Sequence, residues 1–453
     1  MNDNFRYLSV GLPEDILRRK LHGDFGGALR LIDLRLKSDI PEALRKCLLV
    51  ERELIRRLPF DYPYSFEQAL AVIREDIEDF TAEEFLKLVD ENKIDWIYNN
   101  GEPRYFNRFY QTLIKVNADF AKRAGRFTEP PHNKETMLLE DAISDMKQKG
   151  SCGRHIRLKA SVKIKDEAFE PGKTVRVHIP VPAGARQVDN IKICATFPEA
   201  SFTAPENAPQ RTVYFEEKMF QNHEFSVEYE YDIVSRYTEP DPSRAIKEQP
   251  CFDTCEVYPH IRFTPYIKEL AADLTKGETN PLINARAFYD FITLNVKYSY
   301  MREYFCLENI AENCARNFRG DCGVQALLFI TLCRCAGIPA KWQSGLIASP
   351  YHVGPHDWAE FYVEPFGWLF ADPSFGGGSH RSGAEHRREF YFGNLDPYRM
   401  IANSEFQAPF IPDKAYYRCD PYDNQTGEIE LEDRGLLYNE YERRQEMLEI
   451  RTL

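Results

Sequence analysis

Cys322, His356 and Asp372 are the side chains whose types and order suit nucleophilic chemistry: a thiol to attack, an imidazole to move its proton, a carboxylate to hold the imidazole. Cys322 stands in Arg319-Gly320-Asp321-Cys322-Gly323, at the head of a run ending in Ala336-Gly337-Ile338-Pro339. Val324, Leu327, Leu328, Thr331, Leu332 and Cys335 recur at i, i+3, i+4, i+7, i+8 and i+11, which predicts a helix. Asp321 is suited to cap its start and Gly337 its end, with Pro339 beyond. Arg334 is the only charge between Cys322 and Ala336, so the helix is expected to be buried and central. Its first turn would expose Cys322 to unpaired N–H groups and the positive end of the dipole, favouring a thiolate. The chain has 11 cysteines, and cysteine is often buried for packing alone, so the partners of Cys322 must distinguish it.

Those partners lie downstream. His356 to Glu364 and Trp368 to Asp372 are aromatic and aliphatic runs separated by Pro365 and Gly367, which reads as an antiparallel hairpin. His356 and Asp372 are 16 residues apart with Glu364 at the midpoint, so folding there brings the two outer ends together.

Gly320-Asp321-Cys322, the helix ending Ala336-Gly337-Ile338-Pro339-Ala340, His356-x-Trp358-x-Glu360, and Gly367-Trp368 before Asp372-Pro373 together resemble the core of the transglutaminase-like superfamily. The resemblance covers roughly residues 260 to 380. It implies a papain-like α+β core with a Cys322-His356-Asp372 triad and, as the first expectation, a cysteine hydrolase that cleaves peptide or other amide bonds through a thioester acyl-enzyme. Acyl transfer to amines, as in protein cross-linking, and a non-catalytic binding module are the alternatives. The backbone N–H of Cys322 is the natural first oxyanion donor. Animal transglutaminases add a tryptophan before the cysteine, but no Trp lies between Trp96 and Trp342 here. Tyr298 or Tyr300 is the candidate substitute, Tyr300 also a substrate-binding candidate. Trp358 is expected to wall the site. Phe375 to Arg388, rich in glycine and cations, reads as a mobile loop in which Arg381 would receive an acidic group.

The rest of the composition bounds these expectations. A net charge of -13 argues against nucleic acid or an anionic membrane as partner. No run of 18 apolar residues predicts a membrane span. The first residues lack a signal-peptide layout, and an odd number of scattered cysteines suits a reducing interior, so a cytoplasmic location is expected. Cys251 and Cys255 lack a second pair at zinc spacing, so neither a metal site nor a cofactor is expected. The partner would be a peptide or protein substrate.

At 453 residues the chain is long enough for several domains. The fold class expected is multidomain α+β. Residues 1–150 read as a helical domain open to binding a protein partner, with helices at 13–21, 24–36, 41–57, 66–75, 81–88, 104–123 and 134–149. Residues 151–240 alternate with period two, as in Ile156-x-Leu158-x-Ala160-x-Val162-x-Ile164, and predict a β-sandwich. Residues 241–453 are expected, from the resemblance, to form the transglutaminase-like catalytic domain with a C-terminal extension, in which Tyr438 to Ile450 reads as a surface helix.

Overall fold

The structure, a computed structural model, describes residues 2–127 and 134–453. Its N-terminal region is helical: α1 (Glu14–Leu21), α2 (Phe25–Leu36), α3 (Glu42–Asp61), α4 (Phe66–Arg74), α5 (Ala82–Asp90), α6 (Phe109–Val116), α7 (Ala118–Arg123) and α8 (Lys134–Lys149). Ser65 and Thr81 each form a full capping box at the head of α4 and α5. The single helix expected over 104–123 is instead three elements. A hairpin of β1 (Trp96–Asn99) and β2 (Glu102–Tyr105) takes its start. Asn117 then interrupts the remainder, accepting the Phe120 N–H at 3.1 Å to cap α7.

Strands β3 (Ser151–Ile164), β4 (Thr174–Pro180), β5 (Val188–Phe197), β6 (Phe202–Thr203), β7 (Thr212–Lys218) and β8 (Phe225–Arg236) follow. The period-two pattern is seen in burial: Phe225, Val227, Tyr229, Tyr231 and Ile233 of β8 all face the interior, against Val175, Val177 and Ile179 of β4. The chain's end completes both sheets. β16 (Glu428–Leu431) pairs with β4, and β17 (Tyr441–Thr452) pairs with β3. The sandwich therefore has two four-stranded sheets, ordered β16-β4-β7-β6 and β17-β3-β8-β5. The surface helix expected at Tyr438 to Ile450 is this edge strand. Its alternating charges suit an exposed sheet edge, and pairing with β3 overrides the local helical pattern.

Between them lies the C-terminal α+β unit: α9 (Pro265–Thr275), α10 (Pro281–Asn295), β9 (Lys297–Tyr298), α11 (Ile310–Asn317), β10 (Arg319–Gly320) and α12 (Cys322–Cys335). Then come β11 (Ala340–Ala348), β12 (Val353–Val363), β13 (Gly367–Ala371), α13 (Pro373–Arg381), α14 (Glu385–Phe390), β14 (Phe392–Gly393) and β15 (Arg399–Asn403). The sheet order is β14-β13-β12-β11-β15, antiparallel throughout. α12 lies on it with Gly323 to Cys333 all buried, as its composition requires. The segment expected to be a mobile loop is α13 and α14. Asp372 caps α13 and Pro373 occupies its first turn. Gly376 serves close packing rather than flexibility, since a Cβ there would strike the Tyr289 phenol of α10.

One apolar core runs through the first helices and the C-terminal unit, with Phe5, Ile16, Leu54 and Met146 joining Tyr289, Val324, Leu328 and Trp342. Residues of α4 to α7 close a smaller core of their own around Phe85, Tyr105 and Phe109.

Candidate active site

Cys322 is the first residue of α12, and Asp321 caps it by accepting the Val324 N–H at 3.2 Å. Asp321 also accepts the Tyr304 hydroxyl. The residue after the nucleophile has no room for a side chain: a Cβ on Gly323 would press on Tyr304, Trp342 and the Asp357 carboxyl. The Cys322 thiol donates to Asp357 Oδ2 at 3.2 Å, and Gln425 Nε2 donates to Asp357 Oδ1 at 2.6 Å. Burial, reinforced by Asp357 and Asp321, pushes the Cys322 thiol well above its ordinary value. The expected dipole-stabilised thiolate is thus a protonated thiol at rest. Burial, with the charges of Asp423 and Asp321, likewise raises Asp357 well above the carboxylate range. Burial raises Asp321 to about 6.

His356 sits on β12 opposite Gly345 of β11, and Asp372 follows the last residue of β13. The hairpin turn returns the chain as the spacing predicts, and His356 Nε2 lies 2.8 Å from Asp372 Oδ2. The ring packs against Phe375 at 4.5 Å between centroids. Asp372 accepts the Phe375 N–H at 2.9 Å and meets Arg399 Nη1 at 3.2 Å. Burial raises the Asp372 carboxyl, but His356 and Arg399 outweigh it, and it stands below the usual range. Burial lowers His356, Asp372 opposes that fall, and Arg399 and Lys115 add to it, so the imidazole is neutral at pH 7. With Nε2 on Asp372, Nδ1 is the nitrogen left to exchange a proton with a nucleophile.

Cys322 and His356 share the wall of one cavity of 440 Å³, and Cys322 also borders a second of 480 Å³. Tyr300 lines both, and Arg381 lines the first. Tyr298 also lines both, its hydroxyl raised by burial and by Cys322. Trp358 is a correction: it lines neither cavity, is fully buried, and donates its indole N–H to Gln343 Oε1 at 2.8 Å. Packed among Leu346, Met400 and the sandwich residues, it joins sheet to sandwich rather than meeting a substrate. Cys251 and Cys255 are exposed thiols, and among the described residues no group of three or more His, Cys, Asp or Glu side chains is placed to hold a metal. No helix of the described residues is long and apolar enough to cross a membrane.

Residues 268–373 match the family model described as the transglutaminase-like superfamily. The C-terminal unit is a transglutaminase-like domain. Among solved structures the chain is similar to a putative cysteine protease from Cytophaga hutchinsonii, at 15% identity over 67% of this chain and 91% of that one, with a TM-score of 0.43. It is also similar to the periplasmic domain of TgpA from Pseudomonas aeruginosa, at 14% identity over 54% and 95%, with a TM-score of 0.29. No curated protein matches the chain.

Around the transglutaminase-like domain stand residues that the sequence did not point to. Arg399, fully buried, pairs with both Asp372 and Asp396, yet nothing in its neighbourhood marks an arginine that faces inward. Asp357 follows His356 directly, and strand alternation alone sends it to the opposite face of β12. Arg108 and Lys115 come from the N-terminal helices, where only tertiary packing brings them to Cys322. Tyr300 N donating to Thr112 Oγ1 at 3.2 Å and Glu303 N to Asp61 Oδ2 at 3.0 Å tie those helices to the site.

Proposed function

We propose that the chain is a cysteine hydrolase acting on peptide or other amide bonds, with Cys322 as nucleophile, His356 as general base and acid, and Asp372 as the group that holds His356. The observation that carries this reading is that Cys322, at a helix start, and His356, already oriented by Asp372, open on one cavity. The thiol leaves Asp357, gives its proton to His356 Nδ1, and its sulfur bonds the amide carbon. The C–N bond then breaks as His356 returns that proton to the departing nitrogen, leaving a thioester and a free amine. Water attacks the thioester, its proton passes by His356 to the sulfur, and a carboxylic acid is released. Asp372 and Arg399 keep the ring fixed while it carries charge. Its 11 free cysteines fit a reducing compartment such as the cytoplasm.

The test is cleavage of a peptide mixture by the wild-type chain, Cys322→Ala and His356→Ala, read by mass spectrometry together with trapping of the acyl-enzyme on Cys322. Cleavage lost in Cys322→Ala and reduced on the order of a thousandfold or more in His356→Ala supports the triad. Cleavage that survives Cys322→Ala, or no cleavage and no adduct in the wild type, rejects it.

A further inference from the structure

The two cavities that meet at Cys322 differ in charge. The 480 Å³ cavity mixes carboxyls, among them Asp61, Glu303 and Asp420, with arginines, and His356 does not line it. The 440 Å³ cavity has His356 in its wall together with Arg108, Lys115, Arg381 and Arg387, and among the described residues no carboxylate lines it. Arg387 is answered from outside by Glu140 at 3.4 Å. Arg108, Lys115 and Arg381 form no salt bridge among the described residues, and Asp321, which caps the helix of Cys322, acts on Arg108 and Lys115 only at longer range. Arg108 lies 3.5 Å from the centre of the Tyr300 ring and Lys115 3.7 Å from that of Tyr298. Burial lowers the Lys115 ammonium, and the like charges of Arg108 and Arg381 lower it further. Cations gathered in a hollow repel one another unless an anion enters, and the hollow concentrates their field.

The chemistry of the proposed reaction gives this cavity a direction. The group that takes the thiol proton must return it to the leaving nitrogen, so the amine departs on the side where His356 stands. We propose that the 440 Å³ cavity is the leaving-group subsite and receives a carboxylate carried by the departing amine: the C-terminal carboxylate of a peptide, or the side chain of an acidic residue just after the scissile bond. This rests on the hydrolase reading and narrows it. It also gives the N-terminal helices a role, because α6 supplies Lys115 and its capping residue Arg108, opposite Arg381 at the end of α13.

Two measurements on the full-length protein separate this inference from the reading beneath it. The first compares three matched peptides: one with a free C-terminal carboxylate, its carboxamide, and a carboxamide with Glu after the scissile bond. A tenfold or greater preference in kcat/KM for either carboxylate-bearing peptide is expected, and which of the two is favoured identifies the source of the anion. Lys115→Gln combined with Arg381→Gln reduces that preference through KM. Equal rates for all three peptides, or a preference unchanged in the double variant, overturn the subsite. The second measurement needs no turnover. Cys322 is alkylated with iodoacetate and with iodoacetamide, sites are assigned by mass spectrometry, and the rate ratio is compared with that of glutathione. A ratio raised tenfold over glutathione, falling in the double variant, supports the anion subsite even if no peptide is cleaved, in which case only the hydrolase reading fails. A ratio equal to that of glutathione overturns the subsite, and a thiol that neither reagent reaches up to pH 9 overturns both.

Discussion

At the position of the nucleophile two effects compete, and burial wins. The positive end of α12 is worth about 0.3–1 kcal/mol to an anion at an exposed site, up to about 2 when partly buried. Withdrawing a thiolate from water beside Asp357 and Asp321 opposes that, and each pH unit of upward shift is about 1.4 kcal/mol. The resting pair is thus a neutral thiol and a neutral imidazole, and the thiol is activated only as its proton passes to His356. This fixes the pH dependence. His356 must be unprotonated to act as base, and its folded value lies below 6.5, so kcat/KM falls as pH drops through that lower value. Lys115 helps to depress His356, so Lys115→Gln raises it and moves the acid limb upward. A pH profile of kcat/KM for both proteins checks this. A limb that moves downward, or stays in place, assigns the titration to another group.

At the scale of the element, α13 shows how a site can depend on a helix whose sequence does not look like one. Its capping residue is Asp372, so any shift of α13 moves the carboxylate that orients His356. Gly376 faces Tyr289 with no room for a Cβ, whereas Gly378 has only the tip of Arg381 nearby, at 3.9 Å. Gly376→Val is therefore expected to destabilise the protein by about 1–3 kcal/mol and to remove activity. Gly378→Ala keeps the fold and gains up to about 1 kcal/mol from helix propensity. Urea denaturation of the two variants beside the wild type measures the contrast, and equal losses would show that the packing on Tyr289 is not what matters. The same comparison explains what was legible in the sequence. α12 and the β12–β13 hairpin were readable because apolar spacing, Asp321, Gly337 and the turn at Pro365 all agree locally. α13 was not, because Gly376 and Gly377 answer to the neighbouring α10, and β17 was not, because its partner β3 lies nearly 300 residues earlier. Trp358 differs for a related reason: two residues after His356 on β12 it shares that residue's face, but its neighbours there are Leu346, Met400 and the sandwich rather than a cavity.

At the scale of the whole molecule, the cleft lies where the first helices, the transglutaminase-like domain and the segment leading into β16 come together, and its stability is tied to pH through the acids trapped there. Asp420, on that segment, is raised by burial and Asp423 to about 8, and Glu303, across the cavity, is raised by burial and Asp61 to about 7. Above pH 3.8 the unfolded chain ionises the Asp420 carboxyl while the folded protein keeps it protonated. Its favourable contribution is thus complete below 3.8 and is lost as pH rises towards 8. The buried histidines act in the opposite sense. His260, lowered by burial to about 3, and His178 and His356, also lowered, cost stability only as pH falls below 6.5. Between pH 7 and 8 the histidines are silent and the acids are not, so stability falls, with Asp420 contributing about 1 kcal/mol. Asp420 Oδ1 accepts the Tyr422 N–H at 2.9 Å and the Asp423 N–H at 3.1 Å, and an amide oxygen can accept the same two bonds without ionising. Asp420→Asn is therefore expected to keep the neutral-pH fold and to flatten the decline. Denaturant midpoints at pH 7.0, 7.5 and 8.0 for wild type and variant test this, and parallel declines in the two proteins would remove Asp420 as the cause.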